Sequence, residues 1–202
     1  ISDLKEIDID QFKAENNLNQ KEIIALLPGS REQEVTKMLE LMLSVRPNFQ
    51  EYQFVIAGAP SLPKEFYQKF VDENVHFVSN KTYDLLRCSK AALVTSGTAT
   101  LETALLNIPE VVCYRSSRIS YEIGKRVVKN IKYISLVNLI MDQEIVTELI
   151  QSDLNTKNLV KELELILEGD SREKMLNDFE LLRKKLGGKG ASDLAAEIII
   201  NG

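Results

Sequence analysis

Two hundred and two residues, 44% of them hydrophobic, are enough for one α/β domain with a sizeable core. The formal charge of −5 excludes a general nucleic-acid binder, whose footprint is basic, and no apolar run reaches the roughly 18 residues of a membrane-spanning helix. Cys88 and Cys113 have no Cys-x-x-Cys partner or histidine cluster nearby, so they read as reduced core thiols rather than a disulfide or a metal site.

The chain begins at Ile1 without a methionine and reads as a fragment of a longer protein. Residues 1–20 are polar without a clear period and are expected to be a linker or an entry segment. Within them Asp8-Ile9-Asp10 imitates an Asp-x-Asp metal motif, but its place ahead of the first strand makes a solvated turn the expectation. The domain proper is expected over 21–186. Its first strand is the apolar run Ile23 to Leu27, stopped by Pro28-Gly29-Ser30. Val35, Met38, Leu39, Met42 and Val45 then recur at intervals of three and four, which is helical.

Tyr52 to Ala57 predicts a second strand closed by Gly58-Ala59-Pro60, with a short helix over 63–71. A third strand at Val75 to Val78 leads to a helix over 82–88, a fourth at Ala91 to Thr95 to a helix over 98–106, and a fifth spans Val111 to Tyr114. Helices separate every pair of strands, and the strands are continuously apolar rather than alternating. This predicts a Rossmann-like α/β domain, a parallel sheet with helices on both faces. The remainder reads as a helical C-terminal extension, with helices near 119–129, 142–151, 156–167 and 171–185. Residues 187–202 hold a glycine-rich turn, Gly187-Gly188-Lys189-Gly190, and a last helix over 192–200 with Ser192 as its N-cap.

Ligands of such sheets bind at the carboxyl ends of the strands, where loops enter helices. Two junctions stand out. In Leu27-Pro28-Gly29-Ser30-Arg31, with Glu34 beyond, glycine lets backbone approach a phosphate, free amides and the Ser30 hydroxyl donate to it, and Arg31 adds a fixed positive fork. In Ser96-Gly97-Thr98-Ala99-Thr100-Leu101-Glu102 a second small-residue turn opens a helix, and Glu102 lies about one turn inside, where it can accept hydrogen bonds from two vicinal ribose hydroxyls. Either turn alone would be an ordinary turn or N-cap. Both in one sheet, one with an arginine and one with a carboxylate, suit a nucleoside diphosphate.

Other chemistries find less support. No Gly-x-Gly-x-x-Gly follows a strand, and Lys189 lacks the spacing and the Ser/Thr of a Walker loop. His76 is the only histidine, and without a Gly-x-Ser-x-Gly elbow it reads as structural.

With these residues in place, the sequence resembles the lipid-A-disaccharide synthase family from Ile24 to Ile200. The resemblance is carried by Leu-Leu-Pro-Gly-Ser-Arg at 26–31, Ser-Gly-Thr-Ala-Thr-Leu-Glu at 96–102 and Pro-x-Val-Val-x-Tyr-Arg at 109–115. Tyr-Ile-Ser-Leu-x-Asn-Leu-Ile at 133–140, Glu-Leu-Ile-Gln at 148–151 and Gly-Ala-Ser at 190–192 complete it. Val137 departs from the proline usual before the asparagine. The resemblance implies one half of a GT-B glycosyltransferase that moves diacylglucosamine from UDP-diacylglucosamine onto a diacylglucosamine 1-phosphate acceptor. Inversion at the anomeric carbon and no metal or cofactor are implied too. It further implies Tyr114, Arg115, Asn138 and Gln151 as donor-site residues, and a general base on an N-terminal domain to which nothing here corresponds. It points to a cytoplasmic enzyme at the inner face of the inner membrane.

Three rival readings fit the residues less well. A UDP-N-acetylglucosamine epimerase would show a Gly-Gly-x-x-Glu-Glu loop where Ser96 to Glu102 has one glycine and one carboxylate. A peptidoglycan glycosyltransferase would lack the Leu-Pro-Gly-Ser-Arg run, and a stand-alone receiver-like binding module would need acids where Arg31 stands. Finally, Arg118, Lys125, Lys129 and Lys132, spaced seven, four and three apart, form a basic helical face. It reads first as a solvated face and second as a contact for anionic membrane lipid.

Overall fold

A computed structural model describes residues 7–115 and 132–187. Six parallel strands, β1 (Glu22–Leu27), β2 (Tyr52–Gly58), β3 (Val75–Ser79), β4 (Ser89–Thr95), β5 (Glu110–Tyr114) and β6 (Thr147–Ile150), form one sheet in the order β3-β2-β1-β4-β5-β6. The chain builds outward from β1 to β3, returns to lay β4 beside β1, and then builds outward the other way. The β1–β4 seam is therefore the topological switch point, where the outgoing loops diverge and leave a crevice.

Alternate residues of β1, β2 and β4 feed two cores. From β1, Ile24 and Leu26 face a core shared with α2 (Glu32–Leu43), α6 (Leu136–Met141), α7 (Thr156–Leu167) and α8 (Asp170–Leu186). Ile23, Ala25 and Leu27 face the opposite core with α1 (Ile9–Glu15) and α4 (Thr82–Arg87). Both faces being covered explains strands without a polar side, as the apolar runs predict. The short α3 (Lys64–Tyr67) and α5 (Thr98–Leu105) complete the helices of the described residues.

Two expectations are corrected. Residues 7–20 are not a linker: α1 is capped by Asp8, whose side chain accepts from the Gln11 amide, and it buries Phe12 against the sheet. Burial of one such ring contributes about 1.5–3 kcal/mol, so a single aromatic docks a helix whose sequence is otherwise polar. Buried Gln53 on β2 fastens the stretch between α1 and β1, accepting from the Asn19 amide and donating to the Asn19 and Lys21 carbonyls. Asp8-Ile9-Asp10 is accordingly a helix start, not a free turn.

The second correction lies at 142–151, where a helix is expected and the edge strand β6 is found. A helix, α6, precedes it instead. The helices expected near 156–167 and 171–185 are present. Leu159, Leu163 and Phe179 are fully buried in the main core, so α7 and α8 are a layer of the domain. The helices expected near 119–129 and 192–200, the turn beyond Gly187, and Arg118, Lys125 and Lys129 lie outside the described residues.

Candidate functional site

The crevice over the switch point is a cavity of about 310 Å³. Its walls are the loops leaving β1 (Gly29, Ser30), β2 (Ala57 to Pro60) and β4 (Thr95 to Ala99), with Thr82 at the start of α4. The structure thus brings both small-residue turns to one cavity, although three strands and the helices between them separate the turns in sequence. Gly29 holds φ +95° and Gly97 φ +155° with ψ −164°. The latter is a region essentially reserved for glycine, so both turns depend on having no side chain there.

Helix starts around the molecule are not treated alike. Side chains of Asp8, Ser135 and Asn155 cap α1, α6 and α7. The helices that open on the crevice, α2, α5 and, at Thr82, the short α4, have no side-chain cap, a state they share with α3 and α8 elsewhere. The first amides of α2 and α5 lack partners inside the helix and are positioned for an anion. The first turn of α5 carries no acid, whereas that of α2 carries Glu32 and Glu34, so α5 offers the more favourable end.

Arg31 is 82% exposed and its guanidinium lies 3.3 Å from Glu34. An exposed pair of this kind contributes about 0.2–1 kcal/mol, less than the roughly 1.5–3 kcal/mol of a hydrogen bond to a charged group. An anion reaching Arg31 would have only this weak pair to displace. Ser30 is steadied from the β2 loop, where the Ser61 hydroxyl donates to the Ser30 carbonyl at 2.9 Å. That loop is itself braced by Tyr67, whose hydroxyl accepts from the Ala59 amide at 3.0 Å and whose ring stacks on Phe77 at 4.6 Å.

Glu102 stands one turn up α5, half-buried and hydrogen-bonded to the Tyr83 hydroxyl of α4. Burial first, and then the Glu102 charge and this bond, hold the Tyr83 phenol above its ordinary value. A carboxylate has about four acceptor positions, so Tyr83 leaves room for two vicinal hydroxyls. Neither Arg31 nor Glu102 lines the cavity itself; they flank its two turns.

Ser96 has a different part from the one its hydroxyl suggests. Its amide donates to the Cys113 carbonyl at 3.1 Å and its hydroxyl to the Ile134 carbonyl at 3.1 Å. Both donors tie the turn into the protein, leaving Gly97, Thr98 and Ala99 to face a ligand.

The four residues implied by resemblance alone gather beyond the cavity. Tyr114, at the end of β5, accepts at its carbonyl from the Gln151 amide at 2.9 Å. Arg115 donates to the Gln151 and Leu154 carbonyls. Gln151 takes φ +53° just after β6. Asn138 is fully buried: its Nδ2 donates to the Val146 carbonyl and Glu148, and its Oδ1 accepts from the Ile145 and Val146 amides. Every hydrogen-bonding valence of the side chain is engaged within the protein, so it locks a loop. Val137, the departure from the usual proline, is buried in α6.

The remaining singled-out groups are structural. His76 lies on edge strand β3, its Nε2 without a partner among the described residues, and burial pulls its pKa down against the opposing charge of Asp72. Cys88 and Cys113 are free and buried, with burial pushing the Cys88 thiol up to about 11 and Cys113 higher still. Among the described residues no group of three His, Cys, Asp or Glu side chains is placed to hold a metal, and no helix is long and apolar enough to cross a membrane.

Comparison with known proteins decides the family. The model of the lipid-A-disaccharide synthetase family matches residues 1–200. The chain belongs to the lipid-A-disaccharide synthase family. A family member from Syntrophus aciditrophicus is 38% identical over 182 residues, covering 86% of this chain and 47% of its own length. A second, from Sulfurihydrogenibium sp., is 33% identical over 209 residues, covering 94% and 54%. The chain thus spans about half the length of these curated relatives. Among solved structures, the glycotransferase of kitacinnamycin superposes with a TM-score of 0.58 at 11% identity, over 90% of this chain and 43% of its own. The shared fold is a Rossmann-like α/β domain.

Proposed function

We propose that this chain is the donor-binding half of an inverting glycosyltransferase that joins UDP-diacylglucosamine to diacylglucosamine 1-phosphate, forming the lipid A disaccharide. The observation that carries this reading is the meeting of the uncapped starts of α2 and α5 in one crevice at the β1–β4 switch point, with an exposed arginine on one rim and a carboxylate on the other. The diphosphate lies across the amides of Gly29, Ser30 and Gly97 to Ala99 and takes the Arg31 guanidinium. The ribose hydroxyls donate to Glu102, oriented by Tyr83. Tyr114, Arg115 and Gln151, at the ends of β5 and β6, border the sugar side of the donor.

In the reaction the acceptor hydroxyl oxygen bonds to the anomeric carbon as the bond to the β-phosphate oxygen breaks. The proton passes to a base, and UDP departs with added negative charge. Arg31 and the α5 amides meet that charge where it grows, so they act on the transition state and not only on ground-state binding. Among the described residues none is positioned as the base, which belongs with the acceptor site on the other half of the enzyme. The enzyme works in the cytoplasm, against the inner face of the inner membrane, with the basic residues around Lys125 and Lys129 toward anionic lipid. Charge reversal at both positions then lowers co-sedimentation with anionic vesicles; unchanged sedimentation rejects the membrane contact.

Calorimetric titration tests the donor site. Losing a hydrogen bond to a charged group, about 1.5–3 kcal/mol, makes Arg31→Ala roughly tenfold to a hundredfold weaker for UDP. Glu102→Gln weakens UDP but leaves ribose-free pyrophosphate unaffected. Unchanged UDP affinity in both variants rejects the site.

A further inference from the structure

The Glu148 carboxylate is surrounded by donors from a single segment. Its Oε2 accepts from the Ile134 amide at 2.9 Å. Its Oε1 accepts from the Ser135 amide at 2.9 Å, the Ser135 hydroxyl at 2.7 Å and Asn138 Nδ2 at 2.8 Å. Ser135 and Asn138 are fully buried, so without Glu148 these donors would lose partners where water cannot replace them. The segment so gripped presents the Ile134 carbonyl to the Ser96 hydroxyl, at the root of the crevice turn. On the other side the Ser96 amide is fixed to β5, whose Val112 stands in register with Glu148 on β6.

We infer that Glu148 is a positioning residue: through Ile134 and Ser96 it sets the conformation of the Ser96-Gly97-Thr98 turn that faces the donor diphosphate. The inference rests on the donor-binding reading of that turn. It gives a shared purpose to the stretches 133–140 and 148–151, which never touch the cavity yet meet in one hydrogen-bond network. Such a network is rigid because each member is satisfied by the others. It holds Gly97 in its glycine-only conformation from outside the crevice, so no side chain need occupy the space the ligand takes.

Glu148→Gln keeps the shape but turns an amide donor toward a ring of donors. Resonances of the Gly97 and Thr98 amides in ¹⁵N spectra should shift while those of Gly29 and Ser30 stay, and UDP affinity should fall about fivefold or more. In a Ser96→Ala chain, where the link is already cut, Glu148→Gln should add little to either change. If Glu148→Gln does not fold, Ser135→Ala removes one of the four donors and should give the same pattern at smaller amplitude. Unmoved Gly97 and Thr98 amides, or unchanged UDP affinity, in a folded variant overturn the inference and leave the donor-binding reading standing. Absence of UDP binding in the wild-type chain overturns both.

Discussion

The two turns that face the crevice are built on opposite plans. The Ser96–Ala99 turn is bolted down, its amide bonded to β5 and its hydroxyl to a segment gripped by Glu148 and Asn138. The Gly29–Arg31 turn takes one hydrogen bond from another loop, from the Ser61 hydroxyl, besides the Arg31 carbonyl's bonds into α2, and ends in an arginine that reaches into solvent. The contrast separates two tasks. Backbone amides can serve an anion only if their directions are fixed before it arrives, since they cannot adjust individually. A long cationic side chain can follow charge as it moves from ground state to transition state. A frame and an arm are therefore combined in one site.

The contrast has measurable consequences for stability. The largest is expected at Asn138→Ala, which strands the Ile145 and Val146 amides and a donor-hungry Glu148 in the interior. At about 1–3 kcal/mol for each buried group left unsatisfied, urea denaturation should show a loss of roughly 3 kcal/mol or more; a loss below about 1 kcal/mol would break the picture of a rigid frame. Gly97→Ala should come next, at about 1–3 kcal/mol, because a side chain is forced into a conformation reserved for glycine. The ideal Cβ there meets nothing within 4 Å, so the whole cost is conformational.

Glu110 provides a control for Glu148. It too is a carboxyl within the sheet, fully buried, yet neither oxygen has a partner among the described residues, and burial holds its pKa well above the ordinary range. In the folded state it keeps its proton to higher pH than in the unfolded chain. The wild type should therefore lose stability as pH rises from the ordinary glutamate value, about 4.3, toward the raised one. Glu110→Met should be the more stable protein at pH 7, with the gap closing as pH falls toward that ordinary value. A pH-independent difference would reject burial as its cause. The smallest effect belongs to the arm: Arg31→Ala should change unfolding free energy by no more than about 0.5 kcal/mol, even as UDP binding suffers. A large stability loss there would show that Arg31 belongs to the frame.

How far each element was legible in the sequence depends on its physics. Strands β1 to β5 were legible because burial on both faces demands uninterrupted apolar residues. β6 was not: four residues, Thr-Glu-Leu-Ile, carry a glutamate in mid-strand whose reason is the donor ring at 134–138. α1 escaped notice because Phe12 is its one large apolar anchor in the core, too little for a period. The two crevice turns announced themselves through glycine and small residues at strand ends. The β2 loop at Ala57 to Pro60 and the Tyr83 hydroxyl did not, since one contributes mostly main chain and the other is distant in sequence from Glu102. The loop-locking part of Asn138 was hidden for a related reason: a buried amide serving its own loop has the same sequence appearance as one serving a ligand.

The central claim is that both turns bind one nucleoside diphosphate. Titrating the ¹⁵N-labelled chain with UDP tests it most directly. Amides of Gly29, Ser30, Gly97, Thr98 and Ala99 are expected to shift together along a single binding isotherm, with those around His76 on the far edge strand unmoved. Shifts confined to one turn, or centred elsewhere on the surface, would contradict it.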